Sequence, residues 1–394
     1  MNKPQINLLM KHTYLSLILL VTTTFFYAQE DNVVNVQLPT EQKYEFTPII
    51  DIEASAVKNQ GITGTCWSYA SSSFLESEIY RTTGEIIDIS EMYTVRHTYP
   101  KKAWNYVMRQ GEIQFSEGGL AHDVLNAVAT YGLVPESAYS GLKNDVTTHD
   151  HSKIVHELKV VLDAYIKNDI KSEYPNWRTS IDSILDVHLG KIPDDFYYEG
   201  MTYDPQTFLK KTNIQTSDYV TLTSFIHQPY NSSFILNIPD NFSNGLFYNI
   251  TLDELVSETD NALKKGYTIA LDCDVSEKTF SSKFGVAVLP KKLDDQEKCL
   301  TYIVEENTIT PEFRQQEFEN YNTTDDHLMH IVGMVKDQNG NEYYKVKNSW
   351  GDNIEKIGNN GYVYMSKAFF RLKTISVLVH KSALSNNLKS DLKL

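Results

Sequence analysis

Residues 57–78 read VKNQGITGTCWSYASSSFLESE, and the rest of the chain takes its meaning from them. Gln60 lies six residues before Cys66, Gly61 and Gly64 stand between them, and Trp67 follows. The glycines free the intervening loop to take tight or left-handed turns. Beyond the cysteine, Tyr69, Ala70, Phe74 and Leu75 fall at helical spacing, which predicts a helix over residues 68–80. Cys66 then sits at or just before a helix N-terminus. Unpaired backbone N–H groups and the helix dipole favour an anion there, which lowers a thiol pKa and makes a nucleophile. A lone cysteine beside a tryptophan is more often a small buried hydrophobe. The glutamine, the glycines and the helix together set this one apart.

The 394 residues suffice for one large domain or two medium ones, and 41% hydrophobic residues supply a core. The 22% charged fraction is ordinary and excludes wholesale disorder. Asp and Glu outnumber Lys and Arg 51 to 36, so neither nucleic acid nor an anionic membrane is an expected partner. Three cysteines, Cys66, Cys273 and Cys299, do not make a disulfide-built scaffold, and nothing requires the last two to pair. Residues 1–28 read as a secretory signal. Lys3 and Lys11 precede an apolar run over 14–21, and Ala28 precedes the expected cut. The run is short for a membrane span. An exported protein, periplasmic or secreted, is therefore expected, with no membrane attachment after cleavage. Residues 29–45 are expected to be a flexible lead-in, too short for a large inhibitory pro-segment.

Ser90-Glu91 before an apolar run reads as a helix start. Residues 120–131 (LAHDVLNAVATY) read as a helix that Gly132 stops. Residues from about 140 to 265 look inserted. They are polar and rich in Tyr and Asn, with helical stretches near 153–174 and 178–189 and irregular structure around 229–247. A helix over 252–265 and a buried strand over 267–272 follow. Residues 327–335 read as a strand, Asp337-Gln338-Asn339-Gly340 as a hairpin turn, and 342–347 as the returning strand. A last strand is expected over 361–365. Helices first and a twisted antiparallel sheet second define an α+β fold. No spacing of His, Cys and carboxylates resembles a metal-ligand set, and no cofactor is expected. His122, His149, His151 and His156 read as surface residues.

The stretch GTCW, residues 64–67, resembles the CGSCW-type signature of the papain-like cysteine peptidases. The resemblance extends to HxM at 327–329, KVKNSWG at 345–351 and GYVYMSKAFF at 361–370, and covers about residues 46–385. It implies a helical left domain facing an antiparallel β right domain, and the four parts that cysteine hydrolysis of an amide needs. Cys66 would be the nucleophile and His327 the base. Asn348 would orient the imidazole, and Gln60 with the Cys66 backbone N–H would hold the oxyanion. Trp350 would cover the Asn–His bond, Trp67 would support the site, and Gly118-Gly119 would form a cleft wall pairing with the substrate backbone. Of the two histidines three residues apart, His327 is preferred because Gly333 follows it by six and Asp326 precedes it. His330 is then a core histidine.

Two departures shape the expectation further. About 260 residues separate Cys66 from His327, against about 130–150 in the common signature. The excess matches the insertion and resembles the bleomycin hydrolase and aminopeptidase C branch, which implies an aminopeptidase acting on peptides. Thr63 stands where secreted papain relatives carry a cysteine, so that disulfide is absent. In that branch the C-terminal tail blocks the cleft and the chains form hexamers. By resemblance alone, residues 386–394 are a candidate anchor for a substrate amine, or else a frayed end, and a homo-oligomer is a candidate assembly. The alternatives are an acyltransferase built on the same triad and a catalytically silent peptide-binding protein.

Overall fold

The computed structural model describes residues 42–143, 146–167 and 176–394; the expected signal segment and most of the expected lead-in lie outside the described residues. Cys66–Thr83 forms α1, and every residue from Cys66 to Ile79 is buried. This is more than the one-sided stripe its sequence predicts. Ser68, Ser71, Ser72 and Ser73 are small enough to let neighbours close on every side. The helix ends where Gly84 takes a left-handed φ of 74° and its N–H bonds Tyr80 O, a conformation that favours glycine. Glu91–Met108 forms α2, capped by Ser90, whose hydroxyl accepts from Tyr93 N–H at 3.0 Å. Ala121–Tyr131 forms α3 and stops at Gly132, as its sequence predicts. Ser152–Ile166 (α4), Trp177–Leu189 (α5) and Pro205–Lys211 (α6) complete the helical half, whose core runs through Phe74, Leu75, Val95, Tyr99 and Val128.

Among the described residues the other half is one sheet of eleven strands. In chain order its strands, with a separate two-strand ribbon, are β1 (Thr47–Asp51), the ribbon β2 (Phe196–Tyr198) with β3 (Met201–Tyr203), β4 (Tyr219–Thr223), β5 (Ser232–Ile235), β6 (Leu246–Asn249), β7 (Ile269–Cys273), β8 (Phe280–Ser281), β9 (Val286–Ala287), β10 (His327–Lys336), β11 (Glu342–Lys347), β12 (Tyr362–Ser366) and β13 (Thr374–His380). The order across the sheet is β5-β6-β4-β13-β7-β10-β11-β12-β9-β8, antiparallel except at β4–β6 and β9–β12. β10 is its spine. Its first half pairs with β7 and its second half with β1. Gly333 marks the handover: Ile50 O of β1 occupies the space a Cβ would need, so only glycine fits. Leu252–Lys264 (α7), Pro311–Glu319 (α8), Lys367–Lys373 (α9) and Asn386–Leu392 (α10) accompany the sheet, and α7, α9 and α10 share its apolar core. No helix among the described residues is long and apolar enough to cross a membrane.

Three expectations are corrected. The stretch around 229–247 is not irregular throughout. β5 and β6 lie in it, and with β4 they extend the main sheet beyond β13. The end of the lead-in is anchored: Tyr44 donates to Cys299 O at 2.9 Å, and its ring stacks on Phe46, which packs against Tyr364. His149 and His151 are buried, the latter against Tyr99 Oη at 3.1 Å, because α2 closes over them. His122 is partly buried and His156 exposed. All three cysteines are free.

Candidate active site

Cys66 is the first residue of α1, where the helix leaves its N–H groups without intrahelical acceptors. The loop before it is cross-tied. Thr63 Oγ1 bonds Gln60 O at 2.9 Å and Thr65 Oγ1 at 2.6 Å, so hydrogen bonds tie the loop together. Gly64 N–H donates to Glu117 Oε2 at 2.6 Å, and Trp67 Nε1 to Glu117 O at 3.0 Å. Glu117 thus clamps both sides of the cysteine, a role that nothing in its sequence context signals.

β10 carries the partner groups. His327 is its first residue and Asn348 follows directly on β11. His327 Nε2 lies 2.8 Å from Asn348 Oδ1. The same oxygen accepts from Ser349 N–H at 2.7 Å, which fixes the amide orientation. Nε2 therefore carries the proton and Nδ1 is left to accept one. The Trp350 ring covers the imidazole with centroids 4.7 Å apart. The Leu328 N–H, one residue beyond His327, lies against the Cys66 thiol and favours its thiolate. His327, Asn348 and Trp350 are thus brought to one place, with the residue after His327 against the Cys66 thiol. His330 is elsewhere, fully buried beside Phe74, with Nδ1 2.9 Å from Ser73 Oγ.

Gln60 is more committed than its sequence role implies. Nε2 donates to Thr63 O at 2.6 Å and Oε1 accepts from Ser349 Oγ at 2.6 Å, which ties the cysteine loop to the asparagine turn. One Nε2 hydrogen remains for an oxyanion. Gly119 packs against the Trp67 indole, and the space over Gly118 is filled by the Asp240 carboxylate.

The expected low thiol pKa is reversed in the structure. Burial pushes Cys66 up to about 12, aided by Asp240, Asp325 and Asp272 and opposed by the Leu328 N–H. Burial holds His327 down at about 4, against the Asn348 hydrogen bond. Desolvation here exceeds the pull of the helix terminus, and both groups rest neutral. Among the described residues no group of three or more His, Cys, Asp or Glu is placed to hold a metal ion.

A sheet half facing a helical half, with a cysteine at the mouth of a buried helix and a histidine on the sheet's spine, is the plan of a papain-like cysteine peptidase. Residues 107–393 match the Peptidase C1-like family, and the chain belongs to it. Aminopeptidase C of Listeria innocua is 25% identical over 378 residues, covering 86% of this chain and 83% of that protein. Aminopeptidase E of Lactobacillus helveticus is 21% identical over 408 residues, covering 92% and 90%. The crystal structure of pepw from Lactobacillus rhamnosis HN001 superposes with a TM-score of 0.71 at 21% identity, covering 88% of this chain and 84% of that one; it shares the fold.

Proposed function

We propose that this cysteine peptidase is an aminopeptidase that uses Cys66, His327 and Asn348 as its catalytic triad. The observation that carries the reading is the 2.8 Å bond from His327 Nε2 to Asn348 Oδ1, roofed by Trp350, beside a thiol at a helix N-terminus. The aminopeptidase half is supported by the names of the relatives in Listeria and Lactobacillus. As the sulfur bonds to the substrate carbonyl carbon, its proton moves to Nδ1 of His327. The charge developing on the carbonyl oxygen meets the Cys66 N–H and the spare Gln60 Nε2 hydrogen. The imidazolium returns the proton to the departing amine, and water then hydrolyses the thioester. Trp350 keeps water from the His–Asn bond, which strengthens it.

The test is hydrolysis of fluorogenic aminoacyl and peptidyl amides by the full chain and by Cys66→Ala. The reading expects release from free-amine substrates by the native chain and none above background from the variant. Equal turnover by both would contradict it.

A further inference from the structure

Three carboxylates converge beside the thiol, and the triad uses none of them. Asp272 lies on β7 directly across from Leu328 of β10 and is 2% exposed. Asp325 precedes β10 by two residues, and its side chain faces that of Asp272. Asp240 comes from the β5–β6 connection and covers Gly118, with Ser116 as a hydrogen-bond partner. All three act electrostatically on Cys66.

This cluster is short of donors. Asp272 Oδ1 and Asp325 Oδ2 are sealed from solvent and no donor group of the described residues reaches them, while the two carboxyls hydrogen-bond each other, which takes a proton held between them. Sealed acceptors are costly to leave unpaired, and more so if charged, so such a pair needs a proton or a cation between its members. Lys102 is near but engaged. Its ammonium donates to Gly118 O and lies 5.2 Å over the Phe242 ring. Asp240 is only partly buried, so the cluster is reachable from the surface.

The loop bearing Asp240 is held rigidly. Asn241 staples it by donating to Leu236 O and Gly245 O at 2.9 and 3.2 Å and accepting from Gly245 N–H at 2.7 Å. Asn105 of α2 donates to Phe242 O at 3.1 Å, and His122 of α3 lies 3.0 Å from Ser243 Oγ. A peptide whose acyl half runs along Gly119-Gly118, away from the base that protonates its leaving half, therefore meets a fixed carboxylate.

Resting on the peptidase reading above, we infer that Asp240 and Asp325, backed by Asp272, bind the free N-terminal ammonium of the substrate and confine this enzyme to peptides with an unblocked amine. An ammonium brings three N–H donors and one positive charge, which matches the donor deficit. The anchor comes from the insertion and the foot of β10. The C-terminal residues do not supply it: α10 buries Leu388 and Leu392 in the sheet-side core.

The experiment compares native chain, Asp240→Asn and Asp325→Asn on a panel of aminoacyl aminomethylcoumarins. Each is offered as free amine, N-acetylated and desamino forms. Labelling of Cys66 by iodoacetamide and thermal unfolding report an intact site and fold. The native chain should prefer free amines over both other forms by about 100-fold in kcat/KM. Each variant should lose about 10–100-fold of that preference, chiefly by a raised KM for free amines. Should one variant misfold, the other carries the test. Retention of the preference within twofold in a folded variant overturns the anchor, as does equal cleavage of acetylated and free substrates by the native chain. Cys66-dependent hydrolysis would survive both outcomes, so the cysteine-peptidase reading would stand, while equal cleavage would also remove its aminopeptidase half. Absence of Cys66-dependent hydrolysis on every form would overturn both.

Discussion

At the scale of the residue, one acceptor atom does most of the orienting. Asn348 Oδ1 receives both His327 Nε2 and Ser349 N–H, so the ring cannot present its other tautomer without losing a buried bond. Asn348→Ala should lower kcat by about 100-fold, the lower end of what positioned acid–base catalysis contributes, with little change in KM. Steady-state kinetics on a free-amine substrate measures it, and an unchanged kcat would mean that the imidazole is oriented by other contacts. The residues proposed as the triad each stand in a local motif, GTCW, HxM and NSWG, which is what brings them forward in the sequence. Asp240 stands in none. Its neighbours are Pro239 and Asn241 in a stretch that looks irregular, and its meaning comes from docking against Gly118, which lies about 120 residues earlier in the chain. The thiol pKa was also misjudged from sequence, because a helix terminus is visible in a sequence and burial is not.

At the scale of elements, α1 meets β11 through a buried polar chain. Lys58 bonds Glu91 at 2.8 Å and lies 3.9 Å from Glu76, while Glu76 bonds Ser55. Lys347, the residue before Asn348, donates to Ser55 Oγ at 2.9 Å and Ser73 Oγ at 2.7 Å. Burial, with repulsion from Glu91 at Glu76 and from Glu136 at Glu91, holds both up at about 7 against the pull of Lys58, and burial holds Glu136 there too. These acids bind protons more tightly folded than unfolded, where a glutamate titrates near about 4.3. Their contribution is complete below that pH and is lost as pH rises through about 7. Lys58 is pushed above its usual value and stays charged throughout this window. The buried histidines His97 and His151, held down at about 4 and about 3, contribute the opposite slope and are common to both chains, so the unfolding temperature of the native chain should fall relative to that of Glu76→Gln between pH 5 and 7.5; calorimetry of the two at several pH values decides. A difference that does not change over that range would contradict this account. The strands flanking this network were readable from alternation and a hairpin turn. β4 to β6 were not, since β4 gains its place only by pairing with β13, Leu222 against Val377, more than a hundred residues away.

At the scale of the whole molecule, the sheet half is closed by its own C-terminus. Lys265 donates to Ala383 O and Leu384 O at 2.8 and 3.1 Å, and Ser385 N–H to Glu258 at 2.8 Å, before α10 buries Leu388 and Leu392. The sequence leaves those residues as either a cleft anchor or a frayed end, and the structure makes them neither. Deleting residues 386–394 should cost about 3–6 kcal/mol of stability, the worth of two buried leucines, and leave the preference for free amines unchanged. Denaturant unfolding and the substrate panel measure the two effects. A lost preference with unchanged stability would return the tail to the cleft.

The central claim is that His327, one residue from the backbone group touching the thiol, takes the Cys66 proton. The rate of Cys66 alkylation by iodoacetamide at pH 6.5, native chain against His327→Ala, measures this most directly. The account predicts a rate at least about 100-fold slower in the variant, because a thiol pushed up to about 12 then has no acceptor. Equal rates would contradict it.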